Sequence, residues 1–144
     1  MTVVAVRCSK DSLDWAVLVG SQRATATEVE RNKATAPAGE RGTQLSWVRQ
    51  EVLELLDRHR IDIVALRVNE TGGRGISLER SEVEGVVQEA ASSRGVTCRR
   101  VYGATLRGAF KARTAAAVES PGSGRNDDAS REGDGVLQSR RVRR

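Results

Sequence analysis

Cysteine, histidine, aromatic rings and long apolar runs are all scarce in this chain, and each shortage removes a class of function. Its 144 residues include two cysteines, one histidine and four aromatic residues. Cys8 and Cys98 lie far apart in strand-like runs, and with His59 alone they cannot complete a four-ligand zinc site. Both thiols read as buried and inert. A single histidine supports no Ser/His/Asp or Cys/His nucleophile set, and His59 sits where it would cap the end of a helix. No apolar run nears the ~20 residues that span a bilayer, so no membrane partner is expected. Residues 1–6 run into Arg7 and Lys10 without the apolar stretch of a signal peptide, which makes a cytoplasmic location the expectation. Lysine is scarce too: of 24 basic residues only Lys10, Lys33 and Lys111 are lysines, leaving 21 arginines. GC-rich coding produces such a bias, and so does selection for forked phosphate donors.

The basic residues stand against 19 acids, for a net charge of +5. That balance permits a polyanion partner without demanding one. Beyond Glu119 the composition turns polar, with only Val136, Leu137 and Val142 as sizeable apolar residues. Residues 119–144 therefore read as a disordered tail with a basic C-terminus, and residues 1–118 as one small domain. The tail carries six arginines and five acids, so the excess positive charge belongs mainly to the domain.

Within the domain the apolar period changes from two to 3.6 and back. Residues 2–8 and 13–19 are β-branched, apolar runs around a Ser9–Ser12 turn, and 24–30 alternates as a third strand would. Pro37, Gly39 and Gly42 mark 32–42 as a loop. Leu45, Val48, Val52, Leu55 and Leu56 then share one stripe of a helix from Thr43, its expected cap, to about Arg60. Residues 61–68 read as a buried central strand. A second helix follows Ser77, with Leu78, Val83, Val86, Val87 and Ala90 on its apolar face, and closes at Gly95. Residues 96–102 read as a fifth strand, and Leu106, Phe110 and Ala117 suit a third helix over Thr105–Val118. The order β-β-β-α-β-α-β-α predicts an α/β fold: a five-stranded mixed sheet of order 3-2-1-4-5 with helices on its faces. Cys8 and Cys98 would then be separated by the fourth strand, too far for a disulfide.

This order, read with Val4-Ala-Val-Arg-Cys-Ser-Lys-Asp-Ser-Leu-Asp-Trp-Ala-Val-Leu18, Ser81-Glu-Val-Glu-Gly-Val-Val-Gln-Glu-Ala-Ala91 and Tyr102-Gly-Ala-Thr-Leu-Arg-Gly-Ala-Phe-Lys111, resembles the RNase H-like fold. The resemblance is to its RuvC/YqgF-type Holliday-junction resolvase branch, over roughly residues 2–118. It implies carboxylates converging from the first strand, the fourth strand and the last helix to hold two divalent cations. This sequence departs from that pattern. Arg7 stands at the first-strand position and Arg67 near the fourth-strand position, with Glu70 three residues on, and Thr105–Val118 holds no acid. A positive charge where cations would sit argues against a two-metal mechanism there.

The expectation is therefore a catalytically degenerate RuvC-like domain, a pseudoenzyme that binds nucleic acid or another polyanion through Arg7, Arg67, Arg74, Arg107 and Lys111. Arg74 lies in a glycine-rich loop, Thr71-Gly-Gly-Arg-Gly-Ile-Ser77, that precedes a helix N-terminus and matches neither a Walker nor a Rossmann pattern. The expected partners are DNA or RNA, contacted at backbone phosphates, or a protein partner; no cofactor is needed. Two alternatives stand beside it. One is a Mg²⁺-dependent nuclease with carboxylates relocated to Asp14 and Glu70; the other is a protein-interaction module with no anion ligand.

Overall fold

In a computed structural model, residues 1–22, 24–69 and 77–103 are described. The order is β1 (Thr2–Cys8), β2 (Ser12–Val19), β3 (Thr27–Thr35), α1 (Arg41–His59), β4 (Ile63–Arg67), α2 (Leu78–Ser93) and β5 (Thr97–Val101). The strands form one mixed sheet ordered β3-β2-β1-β4-β5, as the sequence predicts. β1 to β3 are an antiparallel meander, while β4 pairs in parallel with both β1 and β5. The expected third helix, the tail and the glycine-rich loop from Glu70 to Ile76 lie outside the described residues. No described helix is long and apolar enough to cross a membrane.

Both crossovers, β3-α1-β4 and β4-α2-β5, step the same way across the sheet, so right-handed connections put α1 and α2 on one face. Burial agrees with that placement. Val4 and Val6 of β1, Leu13, Trp15 and Val17 of β2, and Val64 and Leu66 of β4 join Val48, Val52, Leu55 and Leu56 of α1 and Val83, Val87 and Ala90 of α2 in one core. Trp47 packs against it. Arg41 ties the elements together at one end: its Nη1 donates to the Lys10 carbonyl at 2.7 Å and its Nη2 to the Glu79 carbonyl at 2.8 Å.

Three local expectations are corrected. β3 runs to Thr35, through residues expected to be loop, because β2 offers it a ladder from Val19↔Thr27 to Ser12↔Thr35. Its polar composition is that of a charge-protected edge strand, with a register shift opposite Val17 and Leu18. α1 begins two residues before Thr43, since Glu40 is the cap; its carboxylate accepts the backbone N–H of Gly42 at 2.8 Å and of Thr43 at 2.9 Å. Leu78, expected on the apolar face of α2, is exposed, and its place inside is taken by Ala91 and by a polar residue, Glu84.

At the sheet margin Glu30 of β3 faces α1, where His59 Nε2 lies 2.5 Å and Arg58 Nη2 2.9 Å from its carboxylate. Partial burial pushes the Glu30 carboxyl up, but hydrogen bonds from Arg58 and His59 outweigh it and hold the group below its ordinary 4.5. A carboxyl lowered by folding stabilises the native state above its ordinary value, and that stabilisation is lost as pH falls through the folded value. Urea unfolding of wild type and Glu30→Gln is thus expected to show a stability gap that is steady above about pH 5 and closes in more acid solution. Leu66 is fully buried. Leu66→Ala is expected to lower unfolding free energy by about 2–5 kcal/mol in the same assay.

Candidate functional site

Strand alternation sends every second side chain of the sheet away from the helices. On β1, Val4, Val6 and Cys8 are buried beneath α1 and α2, so Ala5 and Arg7 face the other way. Register then lines up the neighbours. One row across this face, left open by the described helices, reads Lys33, Asp14, Arg7, Arg67, Val101 from β3 to β5. The row beneath it reads Arg31, Ala16, Ala5, Ala65, Arg99. Three alanines in the middle of the second row leave a depression, part of a groove of about 750 Å³ lined also by Leu18 and Glu28.

Arg7 and Arg67 are direct partners on adjacent parallel strands, about 4.8 Å apart at the backbone. Like charges placed directly side by side on a sheet are destabilising. Among the described residues neither guanidinium makes a hydrogen bond or an ion pair. Arg31, by contrast, is committed: its Nε and Nη2 fork onto the Glu28 carboxylate at 2.9 and 2.7 Å. That fork holds the Glu28 carboxyl below its usual range and raises Arg31, so both remain charged. Among the described residues four cations and two carboxylates line the groove, a net positive set.

The structure brings together Arg7, Arg67 and Asp14. Glu70, Arg74, Arg107 and Lys111 lie outside the described residues. Asp11 is in the β1–β2 turn, where its carbonyl accepts the Ala36 N–H at 2.7 Å. Asp14 is opposite Arg7 on one side and Lys33 on the other. Among the described residues no three His, Cys, Asp or Glu side chains are grouped to hold a metal ion. A hard divalent cation needs several oxygen ligands. Among the described residues Asp14, flanked by two cations, and Glu28, held in the Arg31 fork, do not fit that need.

Four contributors were not legible in the sequence. Lys33 was assigned to a loop, and Arg31 and Arg99 were not singled out, although the period-two spacing of Arg31 and Lys33 marks a shared face. The fourth is Glu84, only 5% exposed on the helix side. Its carboxylate accepts the Asn69 N–H at 3.0 Å and Arg80 Nε at 2.8 Å, while Arg80 Nη2 donates to the Arg67 carbonyl at 3.4 Å. This network anchors the end of β4 just where Arg67 leaves the strand. The i, i+4 spacing of Arg80 and Glu84 was its visible signal.

No protein-family model matches the chain, and no curated protein matches it. Solved structures do. The chain is similar to Thermus thermophilus RuvC in complex with a Holliday junction substrate, at a TM-score of 0.66 and 20% identity over 79% of this chain and 72% of that one. A second T. thermophilus RuvC structure gives a TM-score of 0.61 and 19% identity over 71% and 64%. The yeast mitochondrial Holliday junction resolvase gives 0.58 and 4% identity over 81% of this chain and 59% of its own. The chain thus has a RuvC-like RNase H fold and spans between 59% and 72% of these three chains.

The thiols check which face is which. Cys8 and Cys98 are free. Burial, aided by nearby Glu84 and opposed by Arg80, pushes the Cys8 thiol up to about 12. Arg7, its neighbour in sequence, is exposed on the opposite face. At pH 8 a thiol reagent is expected to leave Cys8 unmodified until the protein unfolds. Arg7→Cys in a Cys8→Ser, Cys98→Ser background is expected to react at once; equal rates at positions 7 and 8 would contradict the assigned faces.

Proposed function

We propose that the chain binds the phosphate backbone of nucleic acid on the open face of its sheet, as a RuvC-like domain without the two-metal nuclease chemistry. The observation that carries this reading is the direct pairing of Arg7 with Arg67 on β1 and β4, in a groove with a net positive lining. Two adjacent like charges cost stability, and a fold retains such a local conflict where function needs it. Arginine offers forked donors that match a phosphate. The similar T. thermophilus RuvC binds a Holliday junction substrate, so a face of this fold can receive branched DNA.

Recognition on this face is backbone-dominated. Stacking on bases needs exposed rings; both tryptophans pack with the core, which leaves Tyr102, just past β5, as the exposed ring among the described residues. Contacts to phosphates orient a protein without reading sequence, and their strength falls steeply with salt. Arg74, Arg107 and Lys111 are proposed to extend the same basic surface.

The test is a filter-binding titration with four-way-junction, duplex and single-stranded DNA from about 50 to 200 mM salt, beside incubation with Mg²⁺ or Mn²⁺. Binding without cleavage is expected. Arg7→Glu with Arg67→Glu is expected to weaken binding at least tenfold and to flatten the salt slope by about two units, one for each lost phosphate contact. Cleavage that Glu70→Gln abolishes would instead favour the nuclease with relocated carboxylates. No affinity at low salt, together with a protein partner still retained by the charge-reversed variant, would favour an interaction module.

A further inference from the structure

We infer that the open face holds its anionic ligand with fixed arginine charge in the place of a divalent cation: one phosphate bridges Arg7 and Arg67, and Mg²⁺ or Mn²⁺ neither supports binding nor finds a site there. The inference rests on the phosphate-backbone reading and adds to it the requirement for, or independence from, metal.

The composition of the row decides it. Between β3 and β4 the order of charges is Lys33 positive, Asp14 negative, Arg7 positive, Arg67 positive. The only carboxylate in this row has a cation on each neighbouring strand, so any cation approaching its oxygens meets Arg7 and Lys33 first. Glu28, the other acid of the groove, is held in the Arg31 fork. The described donor set therefore opposes a metal ion instead of building its site. What the row accepts is the opposite charge. Guanidinium groups stay protonated at all working pH and present their donors in a plane, so two of them side by side offer a phosphate oxygens-first contact on both. The bound anion also removes the Arg7–Arg67 repulsion, so binding relieves a conflict built into the free sheet. Arg67 is held in place for this from behind, through the Arg80 contact to its carbonyl.

Two measurements test the inference. First, Mn²⁺ is titrated into the protein alone and followed by electron paramagnetic resonance. Wild type is expected to show no saturable site, whereas Arg7→Asp with Arg67→Glu sets three carboxylates in one row and is expected to gain Mn²⁺ binding that adding Asp14→Asn removes. Second, anisotropy of labelled junction DNA is compared in EDTA and in Mg²⁺ at equal ionic strength. The affinities are expected to agree within about twofold, as counterion competition alone would allow. Should the charge-reversed variant fail to fold, Arg7→Gln with Arg67→Gln serves: it is expected to keep or raise the melting temperature, as like-charge repulsion is lost, while DNA affinity falls at least tenfold. Saturable Mn²⁺ binding by wild type that Asp14→Asn abolishes, or a tenfold tightening of DNA binding by Mg²⁺, would overturn the inference. DNA binding absent from both buffers would sink the nucleic-acid reading itself, with the wild-type Mn²⁺ titration still deciding whether the face excludes a cation.

Discussion

Everything on the open face depends on the register of β1 against β4, and that register is pinned from the other side. Val4 and Val6 on β1 and Val64 and Leu66 on β4 are buried beneath α1 and α2. Because side chains alternate with period two, sliding β4 by one residue would turn Leu66 outward and bury Arg67. The apolar contacts thus select one alignment, and in that alignment Arg7 meets Arg67. A like-charge pair cannot place itself; the core places it and absorbs its cost.

Polar groups reinforce this alignment where apolar burial runs out. Arg41 joins the β1–β2 turn to the start of α2 by bonds to the Lys10 and Glu79 carbonyls. At the opposite margin Glu30 receives Arg58 and His59 from the end of α1. Glu84 is the most consequential of these groups, since a carboxylate with so little exposure must be fully partnered. It finds Arg80 and the Asn69 amide, which holds the exit from β4. The buried Glu84 carboxylate and its Arg80 partner thus hold backbone at the same end of β4 that carries Arg67.

The separation of the two faces also accounts for a fold shared at 20% identity or less with RuvC and the yeast mitochondrial resolvase. The helix-covered face answers to packing, which any set of branched apolar residues of suitable volume satisfies. The open face answers to chemistry. Its residues can change from one charge to the other without disturbing the core, so likeness of fold does not carry an activity with it.

Strand order, the two helices between β3 and β5, and most of their apolar stripes were legible from sequence because they follow from local periodicity and the handedness of crossovers. β1, the Ser77 cap of α2, the buried Trp15 and the burial of Cys8 all fall in this class. The extent of β3 did not, for Arg31, Asn32 and Lys33 form strand only because β2 supplies a partner ladder. Nor did Glu40 as cap or Glu84 as core, since both depend on backbone amides and a guanidinium placed by folding. The sequence by itself determined that Arg7 and Arg67 lie on two strands, β1 and β4, that its strand order makes neighbours. Only the tertiary structure decided that they stand side by side, with Asp14 and Lys33 completing their row, because register between strands distant in sequence is set by packing on the far side of the sheet.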